Sequence, residues 1–199
     1  MKAAILAGGK SRRMGKDKSL LAIRGEALIL HVARALRRIF PDTFVVANEP
    51  RSYEAMGFEV TPDSLPGNDA LGGLHAAISR AGGSHVFVAG CDMPFLQPDL
   101  LSAMEELGEG WDVVIPVRDG YLEPLCALYG KACEDPIRRR IAAGQLKMID
   151  FHQEVRVLRI EEDRWRAWDP EGLSFWNLNT PEEYEKIFSR IPGEEKNGC

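Results

Sequence analysis

Residues Lys2–Lys18 have the sequence KAAILAGGKSRRMGKDK. Its first five residues form a short apolar run, which indicates a buried strand, and the glycine pair that follows indicates a loop extending to Lys18. Between Lys10 and Lys18 this loop carries five basic side chains and one acidic one, although the chain as a whole has a net charge of −5. Glycines let backbone amides approach a ligand closely, and the cations complement a polyanion. The loop Gly8–Lys18 is therefore predicted to cradle the phosphates of a nucleotide.

Beyond the loop, helical and extended patterns alternate along the chain. Strand-like runs lie at Lys2–Leu6, Thr43–Ala47, around Val60, at His85–Ala89, Asp112–Val117 and Val155–Ile160. Helical spacing covers Glu26–Phe40, Leu71–Ala81, Pro98–Leu107 and Ala132–Ala143, with an interruption near Pro136, and a last helix opens at Thr180. This order predicts an α/β fold, a Rossmann-like three-layer α/β/α sandwich with a mostly parallel sheet that binds ligands at the carboxyl ends of its strands.

Length and composition limit the organisation of the chain. With 199 residues, 45% of them apolar and 28% charged, we expect one folded domain over residues 1–191 and a mobile tail over 192–199. No apolar run approaches the roughly 20 residues of a spanning helix, which argues against a membrane protein.

The cysteines and the net charge narrow the function. Four cysteines without a CxxC pair predict neither a zinc site nor a disulfide framework, and they fit a reducing cytoplasm. The negative net charge disfavours a protein that binds nucleic acid over a broad basic face.

The phosphate-binding interpretation of the loop competes with an ordinary solvated loop, because charge runs usually are one. Its position directly after the first strand of an α/β sheet favours the nucleotide. It is not a Walker loop, since Gly9 and Gly15 are one residue too far apart and Asp17 stands where Ser or Thr is required, and it is not GxGxxG.

Polar residues also follow other predicted strands. Asn48, Asp63 and Asp92 each come after one, and each is also a residue type that begins turns or caps helices. Cys91 is predicted to be a packing residue, and the four histidines show no ligand-like spacing. The tryptophans Trp165, Trp168 and Trp176 either pack or stack on a ligand, with packing favoured.

The segment Leu6–Lys18, LAGGKSRRMGKDK, resembles the signature LAGGxSxRMGxDK of GT-A-like nucleotidyltransferases, and among them it is most similar to the molybdenum cofactor guanylyltransferases. Further matches follow in order: Asn48, Asp63 in PDSLPG, Gly72-Gly73, Cys91-Asp92-Met93-Pro94, Glu123-Pro124-Leu125 and NLNTPEEY from Asn177 to Tyr184. The stretch Asp69–Gly73 departs from the family by lacking the proline of its GPLAG-like turn.

The resemblance implies a role for each matching residue. Leu6, Ala7, Gly8 and Gly9 would contact the nucleotide, with the second glycine favouring GTP over CTP. Lys18 and Arg13 would stabilise the phosphates, and Asn48 and Asp63 would bind the guanosine part. Asp92 would hold Mg²⁺ beside the nucleotide, and Asn177 and Asn179 would line the side where the acceptor enters.

The implied reaction is transfer of GMP from GTP to molybdenum-loaded molybdopterin, with release of pyrophosphate and formation of molybdopterin guanine dinucleotide. Such transfer depends on positioning and charge stabilisation rather than on a protein nucleophile. Expected partners are GTP, molybdopterin, and proteins that deliver or receive the cofactor, with no nucleic acid and no membrane. A CTP-dependent molybdopterin cytidylyltransferase, a sugar-1-phosphate nucleotidyltransferase and a non-catalytic nucleotide-binding module remain alternatives.

Overall fold

The computed structural model describes residues 1–7, 18–63, 65 and 69–188. The expectations for Gly8, Gly9 and Arg13, and for the tail 192–199, lie outside the described residues. The single-domain boundary at residue 191 likewise stays a prediction.

The described strands form an eight-stranded sheet and a separate two-stranded hairpin. The strands are β1 (Lys2–Leu6), β2 (Ala22–Ile23), β3 (Glu26–Ala27), β4 (Thr43–Val46), β5 (Val60–Thr61), β6 (His85–Gly90), β7 (Val113–Arg118), β8 (Tyr121–Leu122), β9 (Cys126–Gly130) and β10 (Val157–Ile160). The large sheet has the order β10-β7-β9-β6-β1-β4-β5, with β8 paired to β7, and the hairpin joins β2 to β3.

Helices lie on both faces of the sheet. They are α1 (Leu28–Arg37), α2 (Arg51–Glu54), α3 (Asp69–Ala81), α4 (Pro98–Leu107), α5 (Glu134–Ala142), α6 (Glu162–Trp165) and α7 (Pro181–Phe188). The apolar side chains of α1 and α4 pack against one face of the sheet, and those of α3 and α5 pack against the other. The predicted three-layer α/β/α sandwich is confirmed.

The sheet is parallel except at β9 and the short β8. β1 pairs in parallel with β4 and β6, whereas β9 runs antiparallel to both β6 and β7. Strand β9 is absent from the sequence-based prediction. Its five buried residues, CALYG, form a short apolar run without alternation, which periodicity alone does not assign to a strand.

The start of the first helix and the course of α5 differ from the predictions. The first helix begins at Leu28 rather than Glu26, because Glu26–Ala27 pairs with Ala22–Ile23. The prediction that Pro136 interrupts a helix is wrong. α5 begins at Glu134, so Pro136 lies in its first turn. Backbone N–H groups there have no acceptor within the helix, so a proline, which lacks an N–H, removes no helical hydrogen bond.

Candidate active site

Asn48, Asp63 and Asp92 share one edge of the sheet because the ends of β1, β4, β5 and β6 are in register. Leu6 of β1 is opposite Val46 and Gly90, and Val46 is opposite Thr61. Asn48, Asp63 and Asp92 each lie two residues beyond the end of β4, β5 and β6. The parallel pairing therefore places all three at the same carboxyl edge of the sheet.

On the β4–β5 side, Asn48 and Asp63 form a local pair. The Asn48 Oδ1 atom accepts a hydrogen bond of 3.1 Å from the backbone N–H of Asp63. The Asp63 Oδ1 atom accepts one of 2.8 Å from the N–H of Leu65, so Asp63 is also the turn residue that its sequence context allows. These bonds fix the direction of both side chains, and we name this pair, with Gly72 of α3, the nucleoside side.

Gly72 makes room for the Asp63 carboxylate. A Cβ atom at this position would lie 2.6 Å from Asp63 Oδ2 and 2.8 Å from Oδ1. At the next position, Gly73, a Cβ would meet Leu6 at an ordinary 3.6 Å. Only the first glycine of the pair is thus required by close approach.

The end of β1 is held by backbone bonding and packing. Ala7 is 4% exposed and donates its N–H to Val46 O at 3.0 Å. Leu6 is half-buried and packs with the apolar cluster around α3. Both residues lie at the carboxyl end of β1, directly before the predicted phosphate loop, and their contact with the nucleotide stays a prediction.

Across β1, three residues distant in sequence form what we name the catalytic side: Lys18, Asp92 and Asn179. The Lys18 Nζ atom donates a hydrogen bond to Asn179 Oδ1 across 161 positions of sequence. Burial raises the pKa of the half-buried Asp92 carboxyl, and the positive charge of Lys18 and a bond from Asp92's own backbone N–H lower it. The site therefore combines one carboxylate and one ammonium group within electrostatic reach of each other.

The segment that carries Asn179 is bound to the sheet edge. Buried Leu178 donates its N–H to the backbone carbonyl of Asp92 at 2.8 Å. The Glu183 carboxylate accepts the N–H groups of Asn179 and Thr180, while Thr180 Oγ1 accepts the N–H of Glu183. This reciprocal cap of α7 fixes the backbone of Asn179. Asn177 is exposed, and its side chain makes no hydrogen bond to another described residue.

The sequence pattern assigned no role to Glu123, although it lies at the same edge. The backbone N–H of Gly90 donates to Leu125 O at 3.0 Å, which brings the start of β9 beside the end of β6. Burial raises the pKa of the Glu123 carboxyl. Its place in the Glu123-Pro124-Leu125 match is the sequence signal that points to it.

A family model described as a MobA-like NTP transferase domain matches residues 3–157, a range that includes both sides of the site except Asn179. The chain belongs to this family. It is 39% identical, over 92% of its own length and 89% of the other, to a probable molybdenum cofactor guanylyltransferase of Pelotomaculum thermopropionicum. It is 35% identical to a molybdenum cofactor guanylyltransferase of Desulfosudis oleivorans, with 94% of each chain covered.

A solved structure shares this architecture. The molybdopterin-guanine dinucleotide biosynthesis protein A of Archaeoglobus fulgidus matches with a TM-score of 0.80 and 32% identity, covering 96% of this chain and all of the other. The resemblance first seen in Leu6–Lys18 is confirmed, and the chain is a MobA-like nucleotidyltransferase. The family domain ends at residue 157, so the contact of Asn179 with Lys18 adds a C-terminal element to the site.

Several residues outside the site of this MobA-like enzyme are held by packing, hydrogen bonds or ion pairs. Cys91 is buried in the core, as predicted, and Trp165 is 1% exposed and donates its indole N–H to Val117 O at 2.8 Å. Arg139 and Arg140 both form ion pairs with Glu154. Among the described residues, no helix has the length and apolar character needed to cross a membrane.

Proposed function

We propose that this enzyme transfers GMP from GTP to molybdenum-loaded molybdopterin, releasing pyrophosphate and forming molybdopterin guanine dinucleotide. The observation that carries the proposal is the position of Lys18 and Asp92 beside the nucleoside side of a MobA-like domain. The similarity to guanylyltransferases over almost the whole chain supports the choice of substrates.

In this proposal the nucleotide lies along the carboxyl edge of the sheet. Asn48 and Asp63 bind the guanosine, and Leu6, Ala7, Gly8 and Gly9 contact the nucleotide. Lys18 contacts the phosphates, and its bond to Asn179 holds the ammonium group in place. A preorganised cation stabilises negative charge without reorganising during the reaction.

Magnesium fits the donor set at Asp92. Mg²⁺ binds oxygen and often uses one or two carboxylates together with substrate phosphates. Within the described ranges no cluster of three or more His, Cys, Asp or Glu side chains forms a metal cage, so Asp92 and the triphosphate would share the ion. When bound, the ion neutralises charge that develops on the phosphates.

The chemistry needs no covalent enzyme intermediate. An oxygen of the acceptor phosphate attacks the α-phosphorus of GTP in line, a new P–O bond forms, and the bond from the α-phosphorus to the bridging oxygen breaks. The electron pair leaves with pyrophosphate, whose charge Lys18 and, in our proposal, Arg13 stabilise. Cys91, buried in the core, takes no part.

We also propose that the enzyme works in the cytoplasm and exchanges its acceptor and product with other proteins. Cys126 and Cys133 are free and buried, which supports a reducing cytoplasm. There the enzyme would receive molybdopterin from, and pass the dinucleotide to, other proteins of cofactor assembly.

A product assay tests the function. Purified protein is incubated with Mg²⁺, molybdenum-loaded molybdopterin and GTP, and the dinucleotide and pyrophosphate are quantified by chromatography. We expect a stoichiometric yield of both with GTP and much less with CTP or UTP. A preference for CTP would transfer the protein to the cytidylyltransferases, and nucleotide binding without any product would make it a binding module.

A further inference from the structure

Glu123 lies on the far side of Asp92 from the residues of the nucleoside side. Along the carboxyl edge the strands follow the order β5, β4, β1, β6, β9, β7. Asn48 and Asp63 follow β4 and β5, Asp92 follows β6, and Glu123 precedes β9, where its N–H donates to Pro116 O of β7 at 3.0 Å. A nucleotide over β5, β4 and β1 with its phosphates near Asp92 leaves the β9–β7 end of the edge for the acceptor.

The backbone around Glu123 is fixed by hydrogen bonds. Its carbonyl accepts the N–H of Cys126 at 3.0 Å, and the next carbonyl, that of Pro124, accepts the Tyr129 hydroxyl at 2.9 Å. With its own N–H bonded to Pro116, the residue is anchored on both sides. This anchoring fixes the point at which the Glu123 side chain leaves the backbone.

Within the part of the chain that the structure describes, the Glu123 carboxylate has no hydrogen-bond donor. It is half-buried, and no side chain or backbone N–H of the described residues donates a hydrogen bond to it. Burial raises its pKa, the charge of Arg118 lowers it, and Asp119 raises it further. Arg118 is engaged elsewhere, because its guanidinium donates to Phe175 O at 3.0 Å and lies 3.6 Å from Asp119 Oδ2. Partly buried polar groups usually have partners, so this one is suited to a donor from a ligand.

The negative charge of the Glu123 carboxylate restricts which groups of a ligand it can bind. A carboxylate repels phosphate, so Glu123 does not hold the attacking phosphate of the acceptor. It accepts hydrogen bonds, and two adjacent N–H groups match its two oxygens. A pterin ring carries such a pair, its 2-amino group and the neighbouring ring N–H.

We propose that Glu123 binds the acceptor in the proposed reaction by accepting hydrogen bonds from the amino group and adjacent ring N–H of its pterin. This inference rests on the proposed function and assigns a specificity-determining residue to the acceptor half of the site. Asp92 and Lys18 would then lie between the guanosine and the pterin, where the two substrates react.

Steady-state kinetics with each substrate varied separately test the assignment. Glu123→Gln keeps one acceptor oxygen and Glu123→Ala keeps none. Losing a hydrogen bond between a charged and a polar group is expected to raise the KM for molybdopterin about tenfold to a hundredfold, more in the alanine variant. The KM for GTP should stay within about twofold of wild type. Asp119→Asn is the matched control, because Asp119 is an exposed carboxylate in the turn between β7 and β8, just before Glu123. Its φ of 50° is a conformation that asparagine accepts.

Each outcome separates the two proposals. No dinucleotide from wild-type protein overturns the proposed function before any variant is compared. An active wild type whose Glu123 variants keep the wild-type KM for molybdopterin overturns only the role of Glu123. A parallel rise in the KM for GTP, or a loss of GTP binding in Glu123→Gln, also overturns it, since the residue would then support the fold or the nucleotide rather than the acceptor.

Discussion

The nucleoside side and the catalytic side of this site are built in different ways. Asn48, Asp63 and Gly72 lie within 25 residues of one another and are joined by short backbone hydrogen bonds and one close approach. Lys18, Asp92 and Asn179 come from three distant parts of the chain, and their contacts depend on the sheet and the C-terminal segment closing together. The first region is locally determined, whereas the second depends on the complete fold. We expect substitutions on the two sides to separate binding of the nucleotide from turnover.

The largest effect is expected at Asp92. Asp92→Asn removes the negative charge that would share the metal ion with the triphosphate, and kcat should fall about 10²–10³-fold or more. The KM for GTP should change much less, because Asn48 and Asp63 remain in place. Asp42→Asn is the control, since Asp42 is an exposed carboxylate before β4, at the opposite end of the sheet. If Asp92→Asn kept the wild-type kcat, turnover would not depend on the catalytic side, and the proposed distinction between the two sides would be wrong.

Gly72→Ala should act on the nucleoside side alone. The added Cβ would lie 2.6 Å from Asp63 Oδ2 and displace that carboxylate. The KM for GTP should rise about tenfold with kcat changed far less, as expected when one hydrogen bond to a charged group is lost. Gly73→Ala is the matched control, because its Cβ would meet Leu6 at an ordinary 3.6 Å in the same helix. Equal effects of both variants on GTP binding would show that helix α3, rather than the carboxylate, determines the result.

The same contrast explains what sequence alone could predict. The positions of Asn48 and Asp63 after predicted strands are local patterns that the sequence shows, whereas their guanosine-binding role comes only from the family resemblance and stays a prediction. The bond from Lys18 to Asn179 was not predicted, since no local pattern relates residues 161 positions apart. Periodicity does not predict β9, because CALYG is equally compatible with a buried helix. The effect of Pro136 depends on where α5 begins, which the sequence pattern does not determine.

The two asparagines of the C-terminal segment test how far the catalytic side extends. Asn179 accepts the Lys18 bond, whereas Asn177 is exposed and is predicted only to line the acceptor. Asn179→Ala should lower kcat about fivefold, because Lys18 loses one anchor, and Asn179→Asp, which keeps the acceptor oxygen, should restore most of it. Asn177→Ala should raise only the KM for molybdopterin. A kcat effect at Asn177 equal to that at Asn179 would contradict this division.

His152 lies in neither region and separates pH effects on stability from pH effects at the site. Burial lowers its pKa from 6.5 to about 4, with Arg159 adding to the shift, and both ring nitrogens are buried without a hydrogen-bond partner among the described residues. Between pH 6.5 and 4 the unfolded chain binds a proton that the folded chain does not, so stability is lost as the pH falls through this range. Because the ring is partly exposed, we expect a loss of roughly 1–2 kcal/mol.

His152→Leu should remove this loss and leave kcat at neutral pH unchanged. The measurement is the free energy of unfolding by denaturant at pH 7 and pH 4.5, with Gln153→Leu, an exposed neighbour that does not titrate, as the control. If the leucine variant loses as much stability on acidification as wild type, other groups cause the acid sensitivity. If instead its turnover falls at neutral pH, the helical turn that carries His152 is coupled to the catalytic side, and fold stability and site chemistry are not separate there.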